Sequence, residues 1–537
     1  MTHDQIRPGV RTPDLLIAGA LLVVVVAQSL WTLDAVGIGW DEPKYFAAAR
    51  AIVAWCGDLG EPGTLSAERV DEVFGFRAGV NVHPTLAKFL GAASYALGKP
   101  LFGEFRAFRM ATVILFGVLL AAVYLRVVAA WGRPAALVAV LAVGSMPRLF
   151  VHHHIAATDG PLTGLWFLTV WAFEAACADR RKWPLVGLAS GLAMSVKFTG
   201  FLLLVPLLCW GAIFRRRQML VPALSAVVLG LLVFLALQPA MWDRPVGDFL
   251  EFVRLSTGRA ESAPHWMLFL GTVYDFSPPW YYAPFMTGVT VPEVALLLAL
   301  LAVVVTALDR FRDPLAVGCI IHVAFFWLLT MMPNAPGFDG VRLFLPSFVF
   351  IGVLSGYGFR WLEERVDIRE ASTAVARSGI GQRRVVALGL AGLVAVGTAL
   401  PLLAIYPFGL EYYNLAIGGV DGARARGMET TYWWTVVNTE ALQRIERVLP
   451  HGARLRFFPA DPELPALYRE LDLIRADIRL TGAADFDHVV VLSRPYWDYP
   501  PLFAALRVSQ TDLVPVESVD VDGVPFWILY RRQVAFR

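Results

Sequence analysis

Apolar runs of about 20 residues recur along the whole chain, and no other feature limits its fold as strongly. A helix climbs roughly 1.5 Å per residue, so about 20 apolar residues cover the ~30 Å of bilayer hydrocarbon. Qualifying runs lie near 14–33, 108–130, 134–151, 160–178, 219–238, 290–308, 314–332, 342–360 and 385–406. The stretch 184–214 is interrupted by Lys197 and Gly200 and reads as two shorter spans meeting near "SVKFTG". The sum is eleven. Only 17% of the residues are charged, against about a quarter in soluble domains, and mean hydropathy is +0.58. The predicted class is an α-helical polytopic membrane protein of about 11 transmembrane helices, with a long first external loop and a small external α/β domain at the C-terminus. Net charge is +2 and no basic tract is interleaved with aromatics, which excludes nucleic acid as a partner.

Short-loop cations orient the chain, because they stay on the cytoplasmic side. Arg7, Arg11, Arg133, "DRRK" at 179–182, "RRR" at 215–217, "DRFRD" at 309–313 and the Arg-rich loop 360–384 all fall on one side. The first run is too long, and lacks the small-residue cleavage site, for a removable signal peptide. The other, external face then receives the loop 34–106, the turn "VHHHIAATDG", the loop 239–289, the turn "MPNAPGFDG" and the tail. We divide the chain into a membrane domain, 1–406, and an external domain, 407–537. In the latter "ARLRFFP", "HVVVLSR" and "VPFWILYRR" have strand character. The four cysteines are scattered without a CxxC pair, and only Cys56 faces outward, so no internal disulfide is expected. Abundant Ala, Arg, Val and Gly suggest a bacterial, GC-rich source, and hence the cytoplasmic (inner) membrane.

The unusual polar residues gather on the external face. "VGIGWDEPKYF" places Asp41 and Glu42 side by side just beyond the first span, with Pro43 at a helix start. A carboxylate there can cap free N–H groups or sit solvated at the interface; it can also act as a base.

The fragments "WDEPKYFAAARAI", "NVHPTLAKFLGAASYALG", "PRLFVHHHIAATDGPLTGLWFLTVWAF", "GLAMSVKFTGFLLLVPLLCW", "PPWYYAPF", "FDGVRLFLPSFVF" and "EYYNLAIGGVDGARARGMETTYWW" occur in an order that resembles glycosyltransferase family 39. That family of the C-type superfamily includes protein O-mannosyltransferases and, more distantly, lipid A aminoarabinose transferases. The resemblance implies transfer of a hexose or pentose from a polyprenyl-phosphate carrier to a protein, lipid or cell-wall glycan acceptor outside the membrane. Family members carry an essential acidic residue at the start of a "DE" pair in the first external loop, the place held here by Asp41, with Glu42 beside it. The chemistry is consistent: a lipid phosphate leaves without a general acid, whereas the acceptor hydroxyl gains acidity during attack and needs a base. Cations, or a bound divalent metal, would stabilise the departing phosphate.

Further candidates follow. Asp159, in "HIAATDGPL", either neighbours Asp41, as an acidic residue does in related transferases, or caps the next helix. Lys197, a charge inside an apolar stretch, either faces a cavity or snorkels to the interface; the family's "KFT" pattern puts it near the donor phosphate. Arg342 either binds that phosphate or pairs with Asp339 three residues earlier. His83, Lys88, Tyr281 and Tyr282 are donor or substrate candidates, the tyrosines also fitting an interfacial aromatic belt. The segment from His83 reads as a helix lying at the interface. For a metal the candidates are weak, namely Asp41, Asp159 and His154, because consecutive residues of "HHH" diverge by about 100° on a helix; His265 is a further external histidine. No cofactor is assigned. The rival function is a polytopic lipid or sugar transporter or flippase, which should show repeated halves or paired broken helices at the midplane. A non-catalytic scaffold would use the same polar motifs only as caps and belts.

Overall fold

A computed structural model describes residues 10–76, 83–258, 266–371, 380–494, 501–509 and 512–533. The first apolar run folds as α1 (Thr12–Thr32). The loop that follows starts α2 (Glu42–Gly57) at Pro43, whose fixed φ suits a first helical turn, and then α3 (Ala67–Phe74). Next comes α4 (Leu86–Trp131), two helices joined at Gly103, whose φ of 77° suits glycine and interrupts the spiral. The expected interfacial helix after His83 is the first arm of this bent element, and the expected span 108–130 is the second. The run 134–151 is divided into α5 (Arg133–Gly144) and α6 (Pro147–His152), since Pro147 has no N–H to continue the ladder. After α7 (Asp159–Ala178) come α8 (Trp183–Met194) and α9 (Leu204–Phe214). Between these two the backbone is extended at Lys197 before a 3-10 turn (Phe198–Leu203), as the break at "SVKFTG" suggests.

The helical body continues with α10 (Leu220–Ala236), α11 (Pro245–Thr257), an antiparallel hairpin of β1 (Trp266–Phe269) and β2 (Thr272–Asp275), α12 (Tyr282–Thr290), α13 (Glu293–Leu308), α14 (Pro314–Thr330), α15 (Pro346–Ala371) and α16 (Ile380–Ile405). Three of the described helices are long and apolar enough to cross a membrane by themselves: α1 with its 3-10 extension, α4 and α7. Others, such as α10, α13 and α14, are apolar but 16 or 17 residues long. Among the described residues, eleven helices of full spanning length are not seen. Prolines, glycines and the extended turn at Lys197 cut several of the expected runs short.

The solvent that this surface requires is lipid. On α1 the buried residues are Asp14, Ala18 and Ser29, while Leu16, Val23, Val24 and Trp31 stand open. The same exposure of large apolar side chains recurs on α10, at Leu220, Leu224, Val228 and Leu232, and on α13, at Leu297, Leu300 and Val304. Polar groups inside and apolar groups outside is the arrangement that hydrocarbon favours, and the chain is a multi-pass membrane protein.

The C-terminal part adds α17 (Gly419–Ala425), α18 (Thr439–Val448), β3 (Arg454–Phe458), α19 (Glu463–Glu470), β4 (Arg479–Leu480), β5 (His488–Leu492), α20 (Pro501–Leu506), β6 (Leu513–Val521) and β7 (Val524–Arg532). The five strands form one mixed sheet in the order β4-β3-β5-β7-β6, with β3 parallel to β4 and β5, and β7 antiparallel to β5 and β6. Alternation along β3 buries Leu455 and Phe457 with Leu442 and Ile445 of α18 and Leu464 and Leu467 of α19. Phe46, Ile52 and Trp55 of α2 belong to the same apolar cluster, so the sheet and the segment after the first span share a core.

Candidate active site

The loop before α2 is fixed from a distance. Gly37 N donates to Thr435 O (3.0 Å) and Trp40 N to Trp433 O (3.0 Å), which zips "GIGW" onto "TYWWT". A Cβ on Gly37 would meet Thr435 O and Val437 O at 2.6 Å, so only glycine allows this approach. Asp41 then stands at the N-cap of α2, yet its side chain makes no cap hydrogen bond. The capping alternative does not describe it.

Its neighbour does something different. Glu42 is fully buried. Its Oε2 accepts from Gly39 N (2.7 Å) and its Oε1 from Ala156 N (2.7 Å), while Arg109 Nε and Nη2 donate to the two oxygens at 2.8 and 2.6 Å. Arg109 also donates to Leu33 O, Val36 O and Gly37 O. Glu42 thereby ties the loop before α2 to α4 and to the turn before α7.

Asp41 instead opens onto a cluster of opposed charges. Arg342 Nη2 lies 3.6 Å from Asp41 Oδ2, Arg342 Nε 3.5 Å from Asp159 Oδ2, and Arg342 Nη1 2.9 Å from Asp339 Oδ2. Lys197 Nζ donates to Asp159 Oδ1 at 2.6 Å. The Arg342 guanidinium is stacked 4.2 Å from the Trp433 ring centroid, and Trp433 Nε1 donates to Asp339 Oδ2 at 3.0 Å. Across Asp339, Arg494 Nη2 approaches Oδ1 at 3.7 Å. Asp159 and Lys197 are almost wholly buried, whereas Asp41 keeps 32% of its side chain exposed. Desolvation by the surrounding protein pushes the Asp41 carboxyl above the usual carboxylate range, Asp339 and Asp159 push the same way, and Arg342 opposes them.

Four expected residues are thus brought together: Asp41, Asp159, Lys197 and Arg342. Arg342 makes the expected pair with Asp339 and also approaches Asp41 and Asp159. The rest are placed elsewhere. His154 Nδ1 donates to Phe150 O (2.8 Å) and its Nε2 pairs with the Thr32 hydroxyl (2.9 Å), so it does not join Asp41 and Asp159. His153 turns to Leu149 O and stacks on Phe116, and only His152 points toward the cluster, edge-on to Trp433. The divergence is that of successive helical residues. Among the described residues no group of three or more His, Cys, Asp and Glu is arranged to hold a metal. His265 lies outside the described residues. Buried Lys88 donates to His83 O at 2.9 Å. Tyr282 is buried, and its hydroxyl donates to Gly340 O (3.1 Å), holding the turn that carries Asp339 and Arg342. Tyr281 is partly exposed at the base of the hairpin, near Phe269. Beside the charges, Tyr45, Phe46, Ala87, Leu90, Phe108, Pro161 and their neighbours line a narrow apolar crevice of about 10 Å³.

Over residues 82–242 the chain matches the family model described as dolichyl-phosphate-mannose-protein mannosyltransferase. ArnT from Cupriavidus metallidurans in its apo state superposes with a TM-score of 0.52 at 17% identity, over 97% of this chain and 98% of that one. AglB, an archaeal oligosaccharyltransferase from Archaeoglobus fulgidus solved with an inhibitory peptide and a dolichol-phosphate, superposes with a TM-score of 0.50 at 11% identity, over 92% and 71%. The chain has the C-type glycosyltransferase fold. No curated protein sequence matches it. Within this C-type frame the matched sequence segment takes in His83, Lys88, Asp159 and Lys197, whereas Asp41 and Arg342 lie outside it. Asp339, Trp433 and Arg494 complete the charge cluster and were not among the site candidates that the sequence offered. Their signals were faint: Asp339 as a local partner of Arg342, Trp433 within an aromatic tetrad, and Arg494 as a basic residue closing a strand.

Proposed function

We propose that this protein is a membrane glycosyltransferase that moves a sugar from a polyprenyl-phosphate carrier to an acceptor on the external face, with Asp41 as the general base. The observation that carries the reading is the contrast within the cluster: Asp41 is its exposed carboxylate, raised in basicity, facing cations that can meet a phosphate. In the step itself the acceptor oxygen bonds to the sugar's anomeric carbon while the bond from that carbon to the carrier phosphate breaks. The phosphate leaves with the electron pair, and the acceptor proton passes to Asp41. Lys197 and Arg342 are assigned to the departing phosphate, with Asp159 holding both cations. Lys88, beside Ala87 of the apolar crevice, is assigned with them to the donor side. His83 and Tyr281 are assigned to the outer parts of the donor site, and Glu42 and Tyr282 to holding the loops.

The external orientation is supported by the opposite end of the bundle. There Arg133 pairs with Asp14 and Arg126 with Glu174, at the end where the cation-rich short loops lie. The bacterial inner membrane and a protein, lipid or cell-wall glycan acceptor remain part of the proposal. Purified protein given a radiolabelled polyprenyl-phosphate sugar and envelope acceptors should transfer label, and Asp41→Asn should lower turnover by about 100-fold or more while still binding donor. Near-normal turnover by a folded Asp41→Asn protein would falsify the mechanism. Donor movement without transfer would favour a transporter.

A further inference from the structure

Arg342 answers to three carboxylates at once, and its contacts are unequal. The bond to Asp339 is 2.9 Å, whereas Asp41 and Asp159 stand at 3.6 and 3.5 Å. Arg342 Nε and Asp159 Oδ2 are buried and make no hydrogen bond among the described residues. The guanidinium is therefore drawn to the Asp339 side and held back from the base. Asp339 is built for that task. It lies in a left-handed turn (φ 59°) followed by Gly340 (φ 71°), pinned by the Tyr282 hydroxyl on Gly340 O. Its Oδ2 also takes the Trp433 indole N–H, so ring and carboxylate together fix the plane of Arg342. Its other oxygen faces Arg494, just beyond β5 of the external sheet.

Resting on the glycosyltransferase reading above, we propose that Asp339 and Arg494 are positioning residues that set how closely Arg342 approaches Asp41. Asp339 pulls the guanidinium away from the base, and Arg494, by competing for Asp339, moderates the pull. The C-terminal domain thereby reaches the reacting centre through one cation. The charged and titratable groups facing Asp41 are Arg342, Asp339, Asp159 and Lys44, with Tyr45 following on α2. Those facing Asp339 are Arg342, Arg494 and buried Glu429, whose carboxyl is pushed up to about 7 chiefly by desolvation.

The two substitutions have opposite signs. Asp339→Asn frees Arg342 to close on Asp41 and removes a negative neighbour. Both effects favour the Asp41 carboxylate, so the acid limb of kcat/KM against pH should move down by about 1 pH unit and the plateau should fall. Arg494→Gln leaves Asp339 wholly to Arg342, and the limb should move up, by less. The measurement is transfer from a radiolabelled polyprenyl-phosphate sugar by full-length protein across pH, with donor binding followed separately and Asp41→Asn run alongside. Opposite shifts establish the proposal. Unmoved limbs, with rate alone reduced in both variants, overturn it and leave a structural role. An active Asp41→Asn control would show instead that the underlying reading had failed. Should Asp339→Asn not accumulate, the upward or unmoved limb of Arg494→Gln decides.

Discussion

Two buried arginines flank the same short loop, and they are held in opposite ways. Arg109 directs all five of its N–H groups at acceptors: two bonds to Glu42 and three to the carbonyls of Leu33, Val36 and Gly37, between 2.6 and 3.1 Å. Nothing is left for a substrate. Arg342 has one close carboxylate, two at longer range and one unbonded N–H. A guanidinium that is saturated locks a structure. One that is surrounded but incompletely bonded can exchange a protein partner for an incoming phosphate at small cost, because some of its hydrogen-bonding capacity was never spent. Adjacent acids divide accordingly, Glu42 to the closed arginine and Asp41 to the open one.

The division can be broken experimentally. The largest effect should come from Glu42→Gln, which strands Arg109 in a fully buried site. Loss of one partner of such a pair costs about 3–5 kcal/mol, seen as low accumulation and early thermal unfolding in detergent; a stable, merely slow enzyme would erase the contrast. Asp41→Asn should do the reverse, unfolding at the normal temperature while losing about 100-fold or more in turnover. Lys197→Met comes next, since it removes a cation assigned to the donor phosphate, to which it would make charge-assisted bonds. Such bonds are worth about 1.5–3 kcal/mol, so donor affinity should weaken by roughly 10-fold or more, read by titrating the labelled donor. The smallest effect tests only orientation. Cys56 is exposed on α2, whereas Cys177 and Cys319 are buried and exposed Cys209 lies in an apolar helix. A membrane-impermeant maleimide should label intact cells at Cys56, and Cys56→Ser should abolish the signal without changing transfer. Labelling that persists in Cys56→Ser cells would reverse the topology.

What was legible in the sequence follows the same line. Asp41, Asp159, Lys197 and Arg342 could be picked out because a charge beside or within an apolar run is costly and draws notice wherever it lies. Their convergence could not be seen, since it depends on how loops at separate helix ends meet. Arg494 was unreadable for a related reason: on a soluble-looking strand an arginine is ordinary, and only the fold brings it to Asp339. For Tyr282 and His154 the sequence did not show their partners. Their composition suggested chemistry, but a buried hydroxyl and a buried imidazole each need a partner, and Gly340 O, Phe150 O and Thr32 supply it. Helix positions were largely readable from apolar runs, and helix lengths were not, because Gly103, Pro147 and Lys197 bend or break runs that composition alone leaves continuous.

The two backbone bonds that hold Gly37 and Trp40 to Thr435 and Trp433 impose an order in time. Ribosomal synthesis delivers Asp41 to the membrane long before residue 435 exists. Until that late segment is present, Asp41 has no fixed place and no indole supports Arg342. A half-made chain therefore lacks the charge cluster, which is complete only when one of the chain's later segments closes against one of its first.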